Sequence, residues 1–308
     1  MQHDSVSSPL IFIGAGRTGT SIISETIMRH CQLAYPSQYN SKFPSIAAVN
    51  RLRMLFDNRA YRLAGQKKQL NSVGMLNRVL WNPSEAYPMW SYVTPSDIDF
   101  STDFLLGRRG GDASREFALK YFSEMTRLQG KSRWSCKITG PSRIGYLLSL
   151  FPQARFVLVT RSLIPTISSF LNVGFWHTRG SRGLWWHGAW SRGEKCWAAA
   201  QATRPELLTA LQIKKIEQVT KHELLEFKPP YLEVQYEDFV NDPERVLLKI
   251  LSFAGLNSDR ACWHYVRENP PVNRNRADTK YFDAPVLEEI DNLSLDDLSK
   301  RQEPIRKS

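Results

Sequence analysis

The sequence predicts an α/β fold, a single domain built on a central, mostly parallel β-sheet flanked by helices. Three observations predict it. Residues 10–13 (Leu-Ile-Phe-Ile) and 156–159 (Phe-Val-Leu-Val) are short, uninterrupted apolar runs, the pattern of strands buried on both faces. Each run is followed by a polar or glycine-bearing turn and then by apolar residues at helical spacing. The chain has 308 residues, of which 42% are hydrophobic and 11% aromatic, enough to enclose a full core.

The elements follow in chain order. After the first run comes Gly14, and from Ser21 to Met28 the residues Ile22, Ile23, Thr26 and Ile27 recur with helical period while Glu25 and Arg29 lie on the other side. That is strand, glycine loop, helix. The stretch from Tyr35 to Gly130 reads as mixed loops and short helices. The second run ends at Arg161, and a helix is expected over 166–171, with Pro165 where a first turn tolerates proline. Between Phe170 and Arg204 the chain is rich in Gly, Trp and Arg, which reads as loop and helix near a ligand mouth. Residues 231–236 alternate as a strand does, Asp242 caps Pro243, and an amphipathic helix over 246–253 is closed by Gly255. In a sheet of this kind ligands gather at the strands' carboxyl ends, which places the site near residues 14–21, 161 and 236. The main domain is expected to span 1–285, with a polar terminal helix or tail over 286–308.

Charge narrows the possible partners. There are 41 Lys and Arg against 30 Asp and Glu, a net charge of +11, with a pI near 9.5. Such a field draws polyanions: nucleic acid, anionic lipid or a multiply charged small molecule. The basic residues are dispersed rather than striped, and no RNA- or DNA-binding motif is present, so nucleic acid is not the expected partner. Cys31, Cys136, Cys196 and Cys262 lie far apart with no CxxC pair and no histidine at metal spacing, which implies neither a zinc site nor a disulfide framework. The amino terminus is polar and the first apolar run is too short to span a membrane. A soluble, cytoplasmic protein is expected.

The segment Gly14-Ala-Gly-Arg-Thr-Gly-Thr-Ser21 carries the chemistry. Gly14, Gly16 and Gly19 spell the dinucleotide fingerprint GxGxxG, yet that reading needs an acid about 20 residues on, and none occurs between Glu25 and Asp57. Read as GxxxxGK[ST], the loop has Gly14, Gly19 and Ser21 in place, but Thr20 stands where a triphosphate-binding lysine belongs. A P-loop kinase is thereby weakened as an alternative, and a basic nucleic-acid-binding protein is weaker still. What remains is a nest of backbone N–H groups at a helix start, suited to a 5′-phosphate, with a cation at Arg17 and hydroxyls at Thr18, Thr20 and Ser21.

Arg17-Thr-Gly-Thr-Ser21 resembles the phosphosulfate loop of the sulfotransferase family, which reads roughly PRSGTT. Two further islands extend the resemblance. Arg161 and Ser169, eight residues apart after a core strand, match the pair that clasps the 3′-phosphate, and Tyr236-Glu-Asp-Phe239 before Asp242-Pro is similar to the family's YED(L/F) segment. Asn273-Arg-Asn-Arg276 resembles the basic loop that closes over the 3′-phosphate. The resemblance implies a P-loop-like domain that binds PAPS (3′-phosphoadenosine-5′-phosphosulfate) and moves its sulfuryl group in line to a hydroxyl or amine of a small-molecule or carbohydrate acceptor, with no metal. Gly16, Arg17, Thr18, Gly19, Thr20, Ser21, Arg161, Ser169, Tyr236, Arg274 and Arg276 would hold the nucleotide, Glu237 and Asp238 would serve structure, and Arg17 and Lys137 would be catalytic cations. Lys137 stands 24 residues before Arg161, where the family places a lysine against the leaving oxygen.

A proton acceptor is harder to find. Ile138 and Thr139 occupy the place where cytosolic relatives carry a histidine, and Gln38 occupies the place of a glutamate in others. Glutamine takes no proton at neutral pH, so either another residue serves, with His177 and His187 the nearest candidates by loop placement, or the acceptor needs little help. Trp176, Trp185, Trp186, Trp190 and Trp197 crowd five of nine tryptophans into 22 residues. For Trp190 and Trp197, packing on a helix face is expected, whereas Trp176 with Arg179 and Arg182 reads as an acceptor lip.

Overall fold

The structure is a computed structural model that describes residues 8–56, 83–268, 270–275 and 282–300. Five strands form its sheet: β1 (Leu10–Gly14), β2 (Leu33–Ala34), β3 (Arg133–Thr139), β4 (Arg155–Thr160) and β5 (Tyr231–Gln235). Their order is β2-β3-β1-β4-β5 and every pairing is parallel. Helices cross between them: α1 (Thr20–Ile27), α2 (Asp112–Leu128), α3 (Ile144–Leu150), α4 (Leu163–Leu171), α5 (Arg192–Ala200) and α6 (Pro205–Phe227). After β5 come α7 (Tyr236–Asn241), α8 (Pro243–Ala254), α9 (Arg260–Glu268), α10 (Ala284–Asn292) and α11 (Leu295–Lys300).

The apolar run of β1 is continuous because the strand has neighbours on both edges and helices on both faces. Its side chains alternate: Ile11 and Ile13 enter a core built with α2 and α3, and Leu10 and Phe12 enter another with α1 and α8. The register carries this to β3, where Cys136 lies beside Ile11, and Lys137 beside Phe12. Lys137 is therefore turned toward α1.

Three sequence expectations are revised. Helix α2 runs for 17 residues through the stretch read as loops and short helices; it buries Ala118, Tyr121, Phe122, Met125 and Leu128, a stripe interrupted by enough charge to blur its period. Helix α4 begins at Leu163, three residues early, so Pro165 falls at its third position, where no intrahelical N–H bond is lost. Trp176 is no acceptor lip. It is fully buried, donates from Nε1 to Thr209 Oγ1 at 2.8 Å, and packs on Phe170 and Trp186 with centroids 4.5 and 5.2 Å away.

At the chain's end, the expected boundary at 285/286 falls inside α10. Ile290, Leu293, Leu295 and Leu298 are buried against α6 and its neighbours, and Arg204 grips Glu289 with two parallel bonds of 2.7 and 3.0 Å.

One buried carboxylate ties α6 to the sheet's carboxyl end. Glu223 accepts hydrogen bonds from Ser142 Oγ and from the backbone N–H groups of Ile144 and Gly145, both at 3.0 Å, at the start of α3. Replacing Glu223 with Ala strands these donors in the interior. The expected cost is about 2–4 kcal/mol, read as a lower urea midpoint with unchanged m-value; a midpoint within error of the wild type would contradict this account.

Candidate active site

Residues 14–19 leave β1 and turn into α1 under tight constraint. Gly19 has φ +85°, and a Cβ there would stand 2.3 Å from the Tyr236 ring. A Cβ on Gly16 would lie 2.8 Å from the Phe170 ring. Glycine is required at both positions because aromatic rings from α7 and α4 press on the loop. Arg17 adopts φ +68°, a left-handed conformation that costs a non-glycine residue about 1–2 kcal/mol. The loop is braced internally: Thr18 Oγ1 donates to the Ala15 carbonyl at 2.9 Å and lies 2.8 Å from Thr20 Oγ1.

Arg161, just past β4, joins this loop to two others. Its Nη1 donates to the Arg17 carbonyl at 2.9 Å, its Nη2 to the Arg274 carbonyl at 2.7 Å, and its Nε to Asn275 Oδ1 at 2.8 Å. The guanidinium also lies 4.6 Å over the Tyr236 ring, whose hydroxyl donates to the Val272 carbonyl at 3.0 Å. Arg17 Nε in turn donates to Ser169 Oγ at 3.0 Å. Glu237 plays a structural part, accepting from Ser162 N, Ser162 Oγ and Asn275 Nδ2 at 3.0, 2.8 and 2.6 Å. Arg276 lies outside the described residues.

Electrostatically the cluster is short of negative charge. Burial, then Arg161 and Arg274, hold the Arg17 guanidinium below its ordinary pKa, and burial and Arg274 act the same way on Arg161 against the opposing pull of Tyr236 and Glu237. A cleft of about 360 Å³ opens on the far side of Arg161, and its charged lining is mixed: Arg161 and Lys221 with Glu217, Glu233 and Glu237. The guanidinium groups crowded at the start of α1, rather than the cleft, are what favour a polyanionic guest.

Lys137 sits across the loop. Its buried ammonium donates to Ser21 Oγ at 2.8 Å and lies 3.6 Å from Glu85 Oε1. Glu85 was not among the sequence candidates. It also accepts from Thr139 Oγ1, at the end of β3. Its place in the chain gives no sign of this, because a pairing remote in sequence brings it in: Ser37 bridges Pro83 antiparallel, and Ser84 N donates to the Pro36 carbonyl at 2.9 Å. Gln38, in that same turn, is exposed. His177 is exposed at the end of a four-residue helix, and His187 is 65% exposed with Asp103 at 3.7 Å. Among the described residues neither forms a hydrogen bond or ion pair with Arg17, Lys137 or Arg161.

At the opposite edge of the sheet the fold brings His30, Cys31 and Asp259 within 4.8 Å of one another, a grouping invisible in their sequence spacing. Protein partners occupy them. His30 Nε2 meets the Asn257 carbonyl at 2.9 Å, His30 Nδ1 accepts from Gln32 N at 3.2 Å, and Asp259 accepts from the backbone N–H groups of Cys31 and Ala261.

A parallel sheet with a glycine loop after one strand, met by an arginine from the neighbouring strand, is an arrangement that suits a nucleotide-dependent group transferase. Which group moves is settled by the sequence model of the sulfotransferase family, which matches residues 9–260. The chain belongs to the sulfotransferase family and is a PAPS-dependent sulfotransferase. Among solved structures it is similar to sulfotransferase STF9 from Mycobacterium avium, at 16% identity and TM-score 0.54, covering 94% of this chain and 76% of that one, which shows the shared fold. The sulfotransferase domain from the curacin biosynthetic pathway aligns at 15% identity and TM-score 0.43, covering 87% of this chain and 79% of that one. No curated protein sequence matches the chain at a significant level.

Because Gly19 combines a left-handed φ with a ring against its α-carbon, Gly19→Ala is expected to destabilise the fold by about 2–3 kcal/mol. Thermal denaturation checks this; a melting temperature within a degree of the wild type would show that the loop and Tyr236 are not in contact.

Proposed function

We propose that the loop Gly16 to Ser21 holds the 5′-phosphosulfate of PAPS and that Arg161, Ser169 and Arg274, with Arg276 further along the same segment, hold its 3′-phosphate. Tyr236 is proposed to lie beside the adenine. The observation that carries this reading is the contact between the two anchors: Arg161 Nη1 reaches the Arg17 carbonyl, and Arg17 Nε reaches Ser169. Groups this close serve one ligand bearing two anionic groups better than two separate ligands.

Lys137 and Arg17 supply positive charge where the bridging oxygen becomes negative as the sulfuryl group leaves. Positioning and electrostatics of this kind carry most of the catalysis in related phosphoryl transfers, so no metal is assigned a role. The acceptor is proposed to be a hydroxyl or amine of a small molecule or carbohydrate. No helix among the described residues is long and apolar enough to cross a membrane. The wide sequence spacing of the four cysteines, with no CxxC pair, supports a cytoplasmic enzyme.

Thermal shift tests the nucleotide assignment. Adenosine 3′,5′-bisphosphate without metal is expected to stabilise the protein more than ATP with Mg²⁺ or a DNA oligomer does. Arg161→Ala should weaken bisphosphate binding about 10- to 100-fold, the worth of one charge-assisted contact. Lys137→Ala should leave that affinity intact while sulfuryl transfer to products found by mass spectrometry of a metabolite extract falls roughly 10²–10³-fold. Equal stabilisation by all three ligands would reject the assignment, and unchanged turnover would remove Lys137 from the mechanism.

A further inference from the structure

Glu85 lies beside the Lys137 ammonium, and its surroundings hold it there. Its carboxylate is 3.6 Å from the Lys137 ammonium and accepts from the Thr139 hydroxyl, while its side chain stays 24% exposed. The backbone around it is pinned. Ser84 N donates to the Pro36 carbonyl, Ser84 Oγ lies 3.1 Å from Ser41 Oγ, and Ala86 N donates to Ser84 Oγ at 3.1 Å. The next residue, Ala86, is buried with φ +50° and ψ +46°, a left-handed conformation costing a non-glycine residue about 1–2 kcal/mol. Strain of this kind persists where the surrounding structure over-determines a position, and it clusters at functional sites.

We propose that Glu85 is the general base of this enzyme and that its acceptor is a neutral, unactivated hydroxyl such as that of an alcohol or sugar. The inference rests on Lys137 being the cation at the transferred group. The acceptor O–H gives its proton to a Glu85 oxygen as the acceptor oxygen bonds to sulfur. The bond between sulfur and the bridging oxygen breaks at the same time, and that oxygen leaves with the electron pair beside Lys137. Glu85, partly open to water, then releases the proton to solvent. An alcohol needs this help because it is a weak acid, whereas a nitrophenol is already largely ionised near neutral pH. A carboxylate at this spot also repels anionic acceptors.

The groups that face Glu85 are Lys137 and Cys136 on β3, Tyr87 in the helix after it, and Arg143 before α3. Burial first and Glu85 second push the Tyr87 phenol and the Cys136 thiol above their ordinary values, so neither takes a proton near neutral pH. Tyr87 OH moreover donates to the Thr139 carbonyl at 2.9 Å. With Glu85 as the base, the proposal assigns the acidic limb of the rate profile to this carboxylate.

The test follows release of adenosine 3′,5′-bisphosphate from PAPS with p-nitrophenol, phenol and n-propanol as acceptors. For Glu85→Gln, the loss of kcat relative to wild type should widen along this series from below about tenfold to above about 100-fold, and the acidic limb should vanish. Glu85→Asp should keep the limb at reduced kcat. Calorimetry with the bisphosphate is read in parallel, and wild-type affinity in both variants is expected. A loss that is equal for all three acceptors, or an acidic limb that survives in Glu85→Gln, overturns the assignment of Glu85. Absence of bisphosphate binding to the wild-type enzyme would instead overturn the nucleotide site itself.

Discussion

The architecture of the site depends on one guanidinium. Arg161 reaches from the end of β4 to the carbonyl of Arg17 in the loop after β1 and to Arg274 and Asn275 near the end of the chain. Because β1 and β4 are adjacent and parallel, their carboxyl ends open on the same side, and one side chain can span both loops. The bonds it makes there are charge-assisted, and the one to Asn275 is partly buried. The cost is visible in its neighbours. Arg17 and Arg274 are drawn close to a third cation, a crowding that an anion relieves.

The acid-base side of the centre is assembled differently. Lys137 is aimed by strand register, since the pairing with Phe12 turns it toward α1 and Ser21. Glu85 arrives on an irregular segment held by a two-residue bridge to the turn after β2. Lys137 and Arg161 are thus set by the sheet, and Glu85 by a segment bridged onto its edge.

How far the sequence foretells this follows the same division. Apolar runs and glycine punctuation mark β1, β4, β5 and the loop at 14–19 because those features arise from local burial and backbone geometry. Arg161, Tyr236 and Glu237 stand out in the sequence because each lies at the carboxyl end of a strand, whereas Ser169, expected to pair with Arg161, accepts from Arg17 instead. Glu85 is not legible, since nothing near Pro83 signals a partner near Pro36, and neither is the grouping of His30 with Asp259. Helix α2 is hidden by the charges between its buried residues. Trp176 misleads for another reason: a ring flanked by glycines and arginines reads as a surface feature, whereas here Gly180 yields its space so that the indole can sink inward, where a Cβ would stand 2.1 Å from the ring.

That inward ring has a bearing on how tightly the proposed nucleotide would be held. Gly16 rests on Phe170, Phe170 on Trp176, and Trp176 is fastened to Thr209 of α6, so the floor beneath the phosphate loop is a column of packed aromatics rooted in the longest helix described. A floor that rigid has already lost its freedom on folding. Little ordering entropy is then left for the guest to supply, and more of the contact energy becomes affinity.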